Sequence, residues 1–274
     1  MEKLIITVAT TGAMTTKENT PYLATQPEEI AEEVYMAYQA GAAIAHIHVR
    51  TDEGKATMDR EKFRQTVALV REKCDIILNL TSSGGLGFTD EQRIAPQIEF
   101  KPDMGTFDAG SMNFYRAVFL NPPEFLEKLG TAMIENGIKP EVEVFDAGMV
   151  WNAKRLMKDG FLKPPIHFQC CLQVHGGMEG SPKNLLHLVE SLPDGSTWSA
   201  FGCGPTALAI TTMAIHMGGH VRVGMEDNVY LTKGVLAKHN YEFVERVQRL
   251  AKEFERPVAT VAEARQILGL PPKK

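Results

Sequence analysis

The sequence predicts an α/β protein built as a single domain, a closed (β/α)8 barrel of the TIM type. Three observations predict it. Short runs with strand character alternate eight times with helical stretches, in units of roughly thirty residues. No linker or break in composition divides the 274 residues, a length at which such barrels commonly stand as one domain. Near the ends of the strand-like runs polar side chains recur at every second position, as inward-facing strand residues do. An open doubly wound sheet is the competing architecture. It calls for a Gly-rich dinucleotide fingerprint after the first strand, and Thr10-Thr11-Gly12-Ala13 is not one.

The elements follow in order. Leu4 to Ala9 is an apolar run of buried-strand type. Gln26-Pro27-Glu28-Glu29 opens a helix with proline and acids in its first turn, ending near Ala40-Gly41. Ala43 to Arg50 alternates as the second strand, and Asp59 starts a helix to about Lys73. Asp75 to Leu80 is the third strand, emptying into Thr81-Ser82-Ser83-Gly84-Gly85. A short helix capped at Thr89 leads to a fourth strand, Pro102 to Asp108. Helices from Pro122 to Asn136-Gly137 and from Gly148 to Gly160 flank a fifth strand, Pro140 to Phe145. Ile166 to Val174 is the sixth strand, and Ser181-Pro182 begins the next helix. Thr197 to Cys203 and His220 to Met225 are the last two strands, separated by a helix from Pro205 to Met217. A helix from Thr232 to about Phe254 closes the barrel, and a small one from Thr260 to Leu268 extends the domain toward its C-terminus, so the expected unit spans 1–274.

Composition excludes several classes. The hydrophobic fraction of 44% and the charged fraction of 23% are those of a soluble protein with a full core. A net charge of −5 with no Lys/Arg cluster gives no nucleic-acid footprint. No apolar run reaches transmembrane length, so no membrane partner is expected. The N-terminus lacks the long apolar region of a signal peptide, and Cys74, Cys170, Cys171 and Cys203 lie at no metal-finger spacing. Both features predict a reducing, cytoplasmic setting.

Chemistry gathers where barrels carry it, at the carboxyl ends of the strands. His46 and His48 are two apart and would share a face of the second strand, giving half of a metal site. The plainer alternative puts one imidazole in the core and the other in solvent. Glu226 is the natural third ligand, because strands two and eight feed the same interior layers and are expected to face each other across the mouth. Two imidazoles and a carboxylate leave a position open on Zn²⁺ or another divalent ion. A solvated helix cap is the competing reading of Glu226-Asp227-Asn228. Asp227 is a candidate general base, and Arg222, deeper in the barrel, can balance carboxylates, fix that base or hold an anion. For Arg222 a purely structural ion pair is the alternative. Ser82, Ser83, Gly84 and Gly85 can bind a carboxylate through hydroxyls and backbone N–H groups. Asn79 to Thr81, Thr106, Asp108, Glu141, Glu143, Gln173 and His175 complete the polar rim.

With these residues placed, the chain resembles the β-keto acid cleavage enzyme family over nearly its whole length. The likeness rests on Thr11-Gly12-Ala13, His46-Ile47-His48-Val49-Arg50, Ser82-Ser83-Gly84-Gly85, Glu141-Val142-Glu143, Gly176-Gly177-Met178, and the run from Gly218 to Asn228. The resemblance implies a zinc-dependent enzyme that condenses a β-keto acid with acetyl-CoA, the co-substrate, and cleaves the adduct to acetoacetate and a new acyl-CoA. It implies zinc on His46, His48 and Glu226, and a catalytic set of Asp227, Arg222 and Ser82. Ser82, Gly85 and Thr106 match positions that contact the keto acid in the family, and Met14, Ser83, Gly84, Asp108 and Glu143 are expected to bind substrate beside them. A homotetramer is expected by the same analogy. Two positions depart from the pattern. Met14 stands where the aminohexanoate-cleaving members carry a carboxylate for the substrate amine, which predicts an uncharged or apolar tail. Gly202-Cys203-Gly204-Pro205 replaces a segment that is basic in some relatives, so the CoA contacts stay unassigned.

A metal-dependent hydrolase of the amidohydrolase type is the alternative enzyme, since it also carries a His-X-His strand and a late acid. Its pair belongs on the first strand with further histidines on the fifth and sixth, and here only His175 fits. A barrel that has lost catalysis and merely binds a ligand is the non-enzyme alternative.

Overall fold

Eight parallel strands pair edge to edge until the last closes on the first. They are β1 (Ile6–Ala9), β2 (Ile44–Ile47), β3 (Ile77–Leu80), β4 (Met104–Asp108), β5 (Lys139–Val144), β6 (His167–Leu172), β7 (Thr197–Gly202) and β8 (His220–Val223). The computed structural model describes residues 2–272; Met1, Lys273 and Lys274, the outermost residues of the expected 1–274 unit, lie outside them. The predicted (β/α)8 barrel is thus the observed architecture.

The helices start where local chemistry satisfies their first N–H groups. In α1 (Pro27–Gln39), α4 (Pro123–Asn136) and α6 (Pro182–Ser191) proline opens the first turn, where its missing N–H costs nothing. The Asp59 carboxylate accepts from Glu61 N and Lys62 N at the head of α2 (Arg60–Lys73), and Thr89 builds a capping box on α3 (Asp90–Phe100). Asp146 caps α5 (Ala147–Lys158). The ring is completed by α7 (Ala207–His216) and α8 (Tyr241–Glu253).

One apolar cluster joins the outward strand residues, among them Val8, Ile47, Leu80 and Phe107, to the helix faces. A second closes the N-terminal mouth: Ile5, Ile44, Ile77 and Met104 pack under Val261, Ala264 and Leu268 of α9 (Val261–Leu268). With that end plugged, the C-terminal mouth is left for ligands. Between the two the barrel interior is polar, where branched apolar layers are the norm. Asn79 donates to Glu141 at 2.7 Å, and Ser199 donates to Gln169 at 2.6 Å.

Three small hairpins decorate the mouth, at Val49–Arg50 with Ala56–Thr57, Met112–Phe114 with Ala117–Phe119, and Tyr230–Thr232 with Val235–Leu236. The third corrects the expected closing helix from Thr232. Gly234 sits at φ +79° in its turn, and α8 begins only at Tyr241.

Candidate active site and metal centre

His46 lies near the end of β2, but strand pairing stops at Ile47, and His48 stands just beyond it. Their Nε2 atoms nevertheless converge, at 3.5 and 3.6 Å from Glu226 Oε1. Glu226 is not on β8. That strand ends at Val223, and a turn at Gly224 swings the acid back so that its N–H donates to Ala9 O at 3.2 Å. The expected meeting across the mouth is corrected as well: β2 and β8 flank β1, so the three groups meet over its end. This shorter geometry depends on Gly12. At φ +63° a Cβ there would lie 2.4 Å from Glu226 Cγ.

The donor set suits a divalent metal. The three ligand atoms lie within 4.8 Å of one another, and no other such group of His, Cys, Asp or Glu occurs among the described residues. Burial pushes the His48 imidazole down to about 3, keeping it neutral as a ligand must be. Burial alone would raise Glu226, but Arg222 and the two imidazoles outweigh it and hold the carboxylate well below its usual range. Glu226 Oε2 and His46 Nδ1 are buried without a protein partner. Three protein ligands with open positions fit a catalytic rather than a structural ion.

Arg222 is the hub of the charges. Its Nε and Nη2 grip both oxygens of Asp227 at 2.9 and 2.8 Å, Nη2 also reaches Glu226 Oε1 at 2.6 Å, and Nη1 reaches Glu143 Oε1 at 3.0 Å. The guanidinium lies over the Phe201 ring, 4.5 Å from its centroid. A planar fork can serve three acids in this way, whereas an ammonium cannot. Burial lifts Asp227 to about 6 against the pull of Arg222, which makes it a competent base near neutral pH. Burial also raises Asp108 and Glu143, which face each other in register on β4 and β5.

The remaining expected residues divide. Met14, Ser83, Gly85, Thr106, Asp108 and Glu143 line one cavity together with the metal donors, Arg222 and Asp227. Ser82 is fully buried, with its N–H donating to Thr106 Oγ1 at 2.9 Å, so its contact to the cavity runs through Thr106. Gly84 is a packing position, since a Cβ would meet Thr57 O at 2.5 Å. His175 is exposed and lies against Tyr115 with the two rings tilted, and Gln173 accepts from Gly180 N at 2.8 Å. Neither joins the metal group, which leaves the amidohydrolase reading without its further histidine.

Three features escaped the sequence reading. Arg50, buried beside the site, donates to Gly12 O and Thr15 O, both at 2.8 Å, and so fixes the loop that carries Gly12 and Met14. The hairpin around Tyr115 supplies an aromatic wall of Phe114, Tyr115 and Phe119. Arg93 is buried behind Ser82. A charged side chain that must be buried was the available signal for both arginines, but burial is a property of the fold.

Known proteins resemble the chain along nearly its whole length. The sequence profile of the beta-keto acid cleavage enzyme family matches residues 3–270. A protein of Fusobacterium nucleatum subsp. nucleatum, named 3-keto-5-aminohexanoate cleavage enzyme, is 49% identical over 98% of this chain and 99% of its own length. One of the same name from Acetoanaerobium sticklandii is 46% identical over 98% and 99%. The 3-oxoadipate:acetyl-CoA acetyltransferase of Cupriavidus necator is 34% identical over 97% and 95%. Among solved structures, a ternary complex of ObcA with a C4-CoA adduct and oxalate superposes with a TM-score of 0.81 at 22% identity, covering 91% of this chain and 68% of that one. That likeness supports the fold.

Proposed function

Because the chain belongs to the beta-keto acid cleavage enzyme family, an enzyme family that breaks and remakes C–C bonds with acyl transfer, we propose that it condenses a β-keto acid with acetyl-CoA and cleaves the adduct to acetoacetate and a new acyl-CoA, with zinc or another divalent ion held by His46, His48 and Glu226. The observation that carries the reading is the placement of Asp227, gripped on both oxygens by Arg222, beside that three-ligand group.

When bound, the ion supplies Lewis acidity to the oxygens of the keto acid. Asp227 takes the proton from the carbon between the two carbonyl groups. Arg222, positively charged throughout, keeps the acceptor oxygens aimed. The carbanion attacks the thioester carbon of acetyl-CoA and expels the CoA thiolate. The thiolate adds to the original keto carbon, and the bond from that carbon to the former carbanion carbon breaks. The released carbon takes back a proton, leaving acetoacetate and the new acyl-CoA. Ser83, Gly85 and Thr106 orient the keto acid from the β3 and β4 side of the cavity.

The tail of the substrate lies against Met14, Leu86 and the aromatic hairpin. Met14 is half-exposed and offers no charge to an ammonium group, so the reading is a keto acid with an uncharged tail. The names of the two relatives at 49% and 46% identity favour a second reading, the 5-amino substrate. A panel of β-keto acids assayed with acetyl-CoA separates the two. Faster turnover of 3-keto-5-aminohexanoate than of simple 3-oxo acids would replace the first reading by the second.

A further inference from the structure

Asp108, the last residue of β4, is 4% exposed and ends beside the cavity. Its Oδ2 is enclosed and receives no hydrogen bond. Two guanidinium groups act near it, and the hydrogen bonds they make go to other acceptors. Arg93 donates Nε to Ser82 O, Nη1 to Leu120 O and Nη2 to Asn121 Oδ1. Arg222 donates to Asp227, Glu143 and Glu226. The carboxyl takes a hydrogen bond from its own backbone N–H; a buried carboxylate oxygen left without a donor is costly, and the group keeps a proton there instead.

What faces Asp108 in register is Glu143, whose Oε1 already takes Arg222 Nη1 at 3.0 Å. Two buried carboxyls side by side do not both ionise. The one held by a cation carries the charge, and the one with an oxygen left without a donor carries the proton. We propose that Asp108 is a neutral acid in the working enzyme, donating Oδ2–H to the Glu143 carboxylate, and that it is thereby a positioning residue for the Glu143–Arg222–Asp227 chain. Burial raises both carboxyls, Glu143 the more strongly, and it is the Arg222 Nη1 donation to Glu143 that assigns the charge to Glu143 and the proton to Asp108. The catalytic part of this inference rests on the keto-acid reading of the site; the protonation part stands on the packing alone.

The consequence is an alkaline limit. When Asp108 ionises, a second negative charge presses on Glu143 and loosens the fork of Arg222 from Asp227. The charged and titratable groups acting on the pair are Arg93 from α3, His46 from β2, Glu141 on β5, Cys171 from β6 and Arg222 from β8. Among them only the two arginines carry a fixed positive charge, and neither donates to Asp108.

The test compares metal-loaded wild type with Asp108→Asn and Asp108→Ala. Asparagine keeps the shape and an N–H donor where the Oδ2–H stood but cannot ionise; alanine keeps neither. Infrared difference spectra of the enzyme without keto acid should show the carbonyl stretch of a protonated carboxylic acid, shifted in D₂O and lost in Asp108→Asn. Displacing Asp227 through its chain lowers kcat on the order of a hundredfold in Asp108→Ala. Asp108→Asn should recover most of that loss and lack the alkaline fall in kcat seen in wild type. Thermal melts identify an Asp108→Ala variant that fails to fold, in which case the infrared band and the Asp108→Asn profile decide. Absence of the protonated-acid band at neutral pH, an Asp108→Asn enzyme as impaired as Asp108→Ala, or an unchanged alkaline limb in Asp108→Asn would each overturn the proposal. If no β-keto acid turns over while the band is present and disappears in Asp108→Asn, the functional reading fails and the protonation assignment stands.

Discussion

Gly12→Ala probes the proposed metal centre without touching any of its proposed ligands. Gly12 has φ +63°, and the added Cβ would sit 2.4 Å from Glu226 Cγ and 3.0 Å from its Cδ. The left-handed backbone costs alanine about 1–2 kcal/mol, which for a chain of this size lowers Tm by about 2–8 °C. The clash is a separate effect. The side chain that must give way is Glu226, the proposed third ligand, which Arg222 holds at 2.6 Å. Displacing it should weaken metal binding on the order of 10- to 100-fold, the range seen when a ligand loses its support. Gly137→Ala is the control: its φ is +68°, close to that of Gly12, yet its Cβ would meet nothing. Competition with a chelator followed at equilibrium gives the affinity, and thermal melts of the metal-free proteins give the backbone cost. Equal metal affinity in Gly12→Ala and Gly137→Ala would refute the claim that Gly12 exists to admit Glu226.

The other expectations concern the base and its hub. Asp227→Asn should lower kcat by about 10²- to 10⁴-fold, the usual worth of a general base, while the metal content measured by elemental analysis stays at the wild-type value. Arg222→Met removes the partner of three buried acids, Glu143, Glu226 and Asp227, and should cost about 3–5 kcal/mol in denaturant unfolding. An unfolding free energy equal to wild type would mean that those acids find other partners.

The alternation of strands and helices was legible because each barrel strand is short, apolar on its outer face and followed by a capped or proline-opened helix. The hairpins were not. Strands of two or three residues such as Ala117–Phe119 carry too little pattern, and Val235-Leu236-Ala237 before α8 continues the apolar spacing of a helix. Within the site the residue types and their strand ends were readable, since His46, Glu143 and Arg222 are polar where apolar residues would suffice. The turn that returns Glu226 over β1, the cradle at Gly12 and the retreat of Ser82 behind Thr106 were not readable. Each depends on distances between segments far apart in sequence, on which neither periodicity nor spacing bears.

The central claim is that the carbanion formed at this site is captured by a thioester and not by water. Metal-loaded protein is incubated with a 3-oxo acid, in the presence and absence of acetyl-CoA carrying labelled acetyl carbon, and the products are separated by mass. The account predicts no cleavage without acetyl-CoA and, with it, labelled acetoacetate and unlabelled acyl-CoA in equal amounts. Cleavage of the keto acid by water alone, with no CoA ester of its acyl part, would contradict it.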